Sequence, residues 1–120
     1  MIIYKNFSLK EKGKLAEEIA VSFLRKKGFI ILEKNWYFKK IGEIDIIALK
    51  DKVLNFVEVK SLIDEKKFTP EQHFSFDKFL KITKLAHFYA NQSKYEKWII
   101  SLIAIILDNF EVRYYENLQF

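Results

Sequence analysis

The stretch from Trp98 to Leu107 is apolar at every position except Ser101, and it limits the folds open to this chain. Ten residues fall well short of the roughly 20 that a membrane-spanning helix needs. A run this short and this uniformly apolar reads as a strand buried on both faces, which requires a layer on either side of the sheet. Two helical segments can supply those layers. The first opens at Ser8-Leu9-Lys10-Glu11, a capping box, and closes at Lys26-Lys27-Gly28, where Gly suits the left-handed cap. Its residues Leu15, Ala16, Ile19, Ala20, Phe23 and Leu24 follow the i, i+3, i+4 rule and form one core-facing stripe. The second is predicted from Thr69-Pro70-Glu71-Gln72, again a capping box with Pro at the first helical position, to about Ser93.

Three strand-like segments rich in Ile, Val and Phe, about 29–37, 43–49 and 53–61, lie between the helices with short polar or Gly-containing links. They predict an antiparallel meander. A final strand at about 110–115 follows the apolar run. The order αβββαββ predicts a mixed α/β sandwich in which 98–107 is the central strand. No repeat, linker or low-complexity tract divides the 120 residues, so residues 1–120 read as one domain. No cysteine is present, which excludes disulfides, zinc-thiolate sites and thiol nucleophiles and fits a reducing cytosol. The N-terminal residues lack the pattern of a signal peptide. A cytoplasmic protein without membrane contact is the expectation.

Charge interrupts two of the apolar strands. In Gly42-Glu43-Ile44-Asp45-Ile46-Ile47-Ala48, alternation places Glu43 and Asp45 on one face and Ile44, Ile46 and Ala48 on the other. In Leu54-Asn55-Phe56-Val57-Glu58-Val59-Lys60, the same parity puts Glu58 and Lys60 together, opposite Val57 and Val59. Isolated charges on a largely buried strand cost several kcal/mol each unless a partner or a metal compensates. Pairing of the two strands through the turn at Lys50-Asp51-Lys52 brings Asp45 and Glu58 opposite or nearly opposite each other. An all-oxygen site with neither His nor Cys nearby suits Mg²⁺ or Mn²⁺ rather than zinc. Phosphodiester cleavage uses such a set: carboxylates hold the ion, the ion polarises the phosphate, and a Lys stabilises developing negative charge. A structural ion-pair cluster of the same residues is the alternative.

The set Glu17, Asp45 and Glu58-Val59-Lys60 resembles the active-site pattern of the PD-(D/E)xK nuclease superfamily, although Ile44 stands in place of the Pro in that pattern. Gly13 with Ala16-Glu17, then Gly28, Asn35, the block from Gly42 to Ala48, Phe56 to Lys60, and Lys78 are similar in order and spacing to the bacterial YraN-like family. That family is in turn similar to archaeal Holliday-junction resolvases. The resemblance implies a restriction-endonuclease-like fold with an αβββαβ core, a mixed sheet flanked by helices and dependence on a divalent metal. It implies Asp45 and Glu58 as metal ligands, Lys60 as the catalytic lysine and Glu17 as the acid from the first helix. Glu43 joins Asp45 and Glu58 as a candidate ligand by its place on the strand.

The expected function is a Mg²⁺- or Mn²⁺-dependent endonuclease acting on DNA rather than RNA, branched or otherwise structured DNA included. The alternative is a non-catalytic nucleic-acid-binding or protein-interaction module on the same fold. A homodimer is an open partner state. The charge distribution suits a polyanion, since residues 1–40 carry ten basic and four acidic side chains. Lys26, Lys27, Lys39 and Lys40 read as solvated loop and helix-end charges, and Lys78 as a phosphate contact resting on its place in the family pattern. His73 and His87 are too widely spaced for an i, i+4 metal pair and read as ordinary helix residues.

Overall fold

The computed structural model describes residues 6–63 and 74–120. Its elements are α1 (Leu9–Lys26), β1 (Ile30–Phe38), β2 (Gly42–Lys50), β3 (Val53–Leu62), α2 (Phe76–Asn91), β4 (Lys97–Ile106) and β5 (Glu111–Tyr115). The five strands form one sheet in the order β1-β2-β3-β4-β5. β1, β2 and β3 make the expected antiparallel meander, β4 joins β3 in parallel, and β5 closes antiparallel on β4. A parallel neighbour requires a crossover, and α2 lies on it. The α/β core expected from the sequence is the one observed.

Local chemistry sets the element ends. Ser8 caps α1 reciprocally: Glu11 N–H donates to Ser8 Oγ at 3.1 Å, and Ser8 N–H donates to Glu11 Oε1 at 2.9 Å. Gly28 takes a φ of 94°, so its N–H and that of Phe29 donate to Arg25 O and Leu24 O, both at 3.0 Å, and the chain turns out of the helix. Asp51 and Lys52, with φ of 52° and 67°, form a tight turn of the primed kind between β2 and β3. The capping box predicted at Thr69–Gln72 lies outside the described residues. The described helix α2 starts later, at a Ser75 cap whose Oγ accepts Lys78 N–H at 3.2 Å, and it ends at Asn91 rather than Ser93.

Each helix covers one face of the sheet. Ala16, Ala20 and Leu24 of α1 pack with Ile46, Val57 and Ile103, while Ile82, Leu85 and Ala86 of α2 pack with Ile44, Ile47, Phe56 and Leu102. β4 is buried on both faces, as its composition requires. It is not the middle strand, however. β5 adds to its outer side, and the middle position falls to β3, whose apolar run is broken by Asn55, Glu58 and Lys60. The centre of the sheet is therefore more polar than its neighbour. No helix among the described residues is long and apolar enough to cross a membrane. His87 stands edge-on to Trp98, with ring centroids 5.1 Å apart; His73 lies outside the described residues.

Asn55 is fully buried and fully partnered. Its Nδ2 donates to Tyr114 Oη at 2.7 Å, and its Oδ1 accepts from Ser101 Oγ at 2.7 Å. Burial, and then a hydrogen bond to Glu116, push the Tyr114 hydroxyl up to about 12, so it remains a neutral donor. Ser101, the single polar break in the apolar run, is thereby explained. Asn55→Leu leaves the buried Ser101 hydroxyl without its acceptor, at about 1–3 kcal/mol, while Tyr114 keeps its bond to Glu116. Urea denaturation should show a lower midpoint, with part of the loss restored in the Asn55→Leu/Ser101→Ala double variant. A midpoint equal to that of the parent would show the network to be energetically idle.

Candidate active site

The acids meet where the sheet stops being regular. The β2–β3 ladder runs from Lys50↔Val53 to Ile46↔Val57 and goes no further. On the other side, β1 pairs with β2 at Lys34↔Ile46 and again at Trp36↔Ile44, leaving Asn35 across from Asp45. Asn35 takes a left-handed φ of 51°, a conformation that Asn tolerates better than most residues. Ile46 and Ala48 belong to the core under α1, but Ile44 belongs to the core under α2. Strict alternation, which would keep Ile44 with Ile46, is thus corrected: the strand changes face at Asp45. Parity holds on β3, where Val57 and Val59 pack on the α1 side.

This break places Asp45 beside β3. Its Oδ2 accepts Val59 N–H at 2.8 Å, a side chain standing in for the missing ladder bond. Burial first, and then the charge and hydrogen bond of Glu58, push the Asp45 carboxyl up to about 8. Burial and the neighbouring acid both disfavour a charge on Asp45. Glu58, itself buried, forms an ion pair with Lys78 of α2. Burial acts against the charge on Lys78, but its hydrogen bond to Glu58 and the Glu58 charge outweigh it and hold Lys78 above the usual lysine range. Lys60 goes the other way. Burial, followed by the hydrogen bond and charge of Lys78, lowers it despite Glu58 and Asp45.

Asp45, Glu58 and Lys60 are therefore brought together as expected, and Lys78 joins them through its ion pair with Glu58. That partnership was not legible in the sequence, since Lys78 lies on a helix that packs on the sheet from outside. Glu17 and Glu43 line the same groove as Asp45, a cleft of about 1040 Å³ between α1 and the β1–β2 hairpin. Burial first raises the Glu17 carboxyl; a hydrogen bond to Asn35 opposes this, and the Glu43 charge adds to it. Asn35 is thus a site residue to which sequence reading gave no role, although its left-handed position opposite Asp45 is the sort that Asn fills.

Among the described residues, no three Asp, Glu or His side chains converge closely enough to hold a metal ion as a group. The donor set that does converge is the Asp45–Glu58 pair. Mg²⁺ needs no more from a protein, since it keeps several waters and is bound by one or two carboxylates. The Lys78 ammonium against Glu58 shows that a cation is favoured at this spot. Hard oxygen donors, and a carboxyl whose charge is disfavoured by its neighbour until a cation relieves it, fit a divalent ion there.

Comparison with known proteins places the chain. The profile of the "Uncharacterised protein family UPF0102" matches residues 16–116. A "UPF0102 protein" of Sulfurovum sp. (strain NBC37-1) is 41% identical over 105 residues, covering 88% of this chain and 90% of that protein. Those of Helicobacter hepaticus (strain ATCC 51449 / 3B1) and Fervidobacterium nodosum (strain ATCC 35602 / DSM 5306 / Rt17-B1) are 43% and 42% identical, covering 91% and 90% of this chain and 94% and 81% of the relatives. With a profile match over most of its length and relatives of this likeness across nearly their whole chains, the protein belongs to the UPF0102 family, the YraN-like family that its residues resemble.

Proposed function

We propose that this protein is a divalent-metal-dependent nuclease that hydrolyses phosphodiester bonds in DNA. The observation that carries the reading is the forced approach of Asp45 and Glu58 at the end of a β-ladder, with Lys60 beside them. Mg²⁺ or Mn²⁺ held by Asp45 and Glu58 would supply Lewis acidity at the scissile phosphate. Lys60 presents a preorganised positive charge to the oxygen that gains charge in the transition state. Glu17, raised by burial, is suited to take up a proton at the groove wall. Asn35 holds Glu17 in place.

A second reading, a non-catalytic binding module whose acids serve only an ion pair, is favoured by the Lys78–Glu58 contact. It does not account for Asp45 lying buried against a second carboxyl, which raises it. The test incubates pure protein with Mg²⁺ or Mn²⁺ and a panel of single-stranded, duplex, flap and four-way DNA, alongside an identically prepared Asp45→Ala variant. Cleavage by the parent and none by the variant supports the nuclease. Equal cleavage by both, or none by either, removes it.

A further inference from the structure

The groove that ends at Asp45 has a composition of its own. Lys10, Lys14, Arg25 and Lys26 of α1 and Lys34 of β1 line its walls, and the acids Glu17, Glu18, Glu43 and Asp45 also face it. All five cations are exposed. Five cations along its walls suit a polyanion whose phosphates keep to those walls. At about 1040 Å³ the groove matches the upper end of small-molecule sites, about 300–1,000 Å³. A cleft of that size admits a few nucleotides, and a base that stacks on a side chain must be out of the duplex stack.

Two residues of its lining suit an occupant. Tyr37 lines the groove opposite Glu43 in the sheet, yet it is 68% exposed, and an exposed aromatic face beside cations is a platform for a base. Gly13 lies within α1, where Gly is unfavourable relative to Ala. A Cβ there would meet nothing within 4 Å among the described residues, so no packing contact demands Gly. What a side chain would enter is the groove, which Gly13 lines.

We infer that this groove holds a single DNA strand, its phosphates tracked by the cations of α1 and Lys34, its backbone approaching α1 at Gly13, and a base stacked on Tyr37. The inference rests on the nuclease reading for the chemistry at Asp45, but its test does not. Fluorescence anisotropy in EDTA, where a metal-dependent enzyme does not cut, compares a labelled single strand with the duplex and with the RNA strand of the same sequence. The single DNA strand should bind most tightly. Tyr37→Ala should raise its Kd roughly 5- to 150-fold, the range that base–aromatic stacking allows, while Tyr37→Phe retains the affinity. Gly13→Ala should melt a few degrees higher than the parent and yet bind the strand more weakly, a split that a purely structural glycine would not give. Lys84→Ala, exposed on α2, should bind as the parent does.

Equal or tighter binding of duplex or RNA, an unchanged Kd in Tyr37→Ala, or no binding at all would overturn the inference. Metal-dependent cleavage that survives Tyr37→Ala with binding unaltered would sink the groove assignment and leave the nuclease. Tight, Tyr37-dependent binding of the single strand with no cleavage under any metal would sink the nuclease and leave the groove.

Discussion

Asp45→Asn should melt higher than the parent in EDTA at pH 8, on the order of 5–10 °C, and nearly level with it at pH 4. The direction follows from where Asp45 titrates. Its carboxyl lies at about 8 in the folded chain against an ordinary 3.8, with burial the main cause and Glu58 the second. The folded chain therefore binds a proton that the unfolded chain has released across the window from about 4 to about 8, and stability falls as pH climbs through that window. Each unit of difference is worth about 1.4 kcal/mol, and with Asp45 not wholly removed from solvent the part relieved by Asn is on the order of 2–3 kcal/mol. Asn can still accept the Val59 N–H, so the ladder substitute is kept. Melting curves of both proteins from pH 4 to pH 8 decide the matter. A variant that melts lower at pH 8 would mean that Asp45 is a satisfied partner in an ion pair, whose breakage costs about 3–5 kcal/mol.

Lys60→Ala is expected to slow cleavage by roughly 10² to 10³ under single-turnover conditions, the usual cost of removing one preorganised charge stabiliser. Metal binding should persist, because a protonated lysine is not a ligand and both carboxylates remain. Lys60 sits below the usual lysine range because burial and its neighbour Lys78 disfavour its charge, whereas an anionic phosphate between the two lysines would favour it. A variant that cuts as fast as the parent would assign the stabilising charge to Lys78 or to the ion alone.

The sheet and its partners were largely legible in the sequence because hydrophobic period carries that information directly. Trp98–Leu107 could only be a strand between layers, and the stripe from Leu15 to Leu24 could only cover one. The rank of the strands was not legible: the most apolar strand reads as the centre, but β5 adds to the outer side of β4 and leaves β3 in the middle. Val59 and Lys60 kept their parity, whereas Asp45 broke it. Alternation assumes an unbroken ladder, and at Asp45 the ladder gives way to a side chain accepting Val59 N–H. The Lys78–Glu58 pair and the Asn35–Glu17 contact join elements far apart in sequence, and composition and period are silent about such meetings. The cations of the groove were visible as a basic N-terminal third, but only the packing of α1 on the sheet sets Lys14 and Lys34 on one cleft.

The claim on which the rest depends is that Asp45 and Glu58 form a site built for a divalent ion. Titration of Mn²⁺ into the protein, with free Mn²⁺ followed by electron paramagnetic resonance, measures that without substrate or turnover. The parent should take up one Mn²⁺ per chain, displaceable by Mg²⁺, and Asp45→Asn should lose the site. A parent that binds no Mn²⁺ at millimolar concentration, or a variant that binds it as the parent does, would contradict the claim.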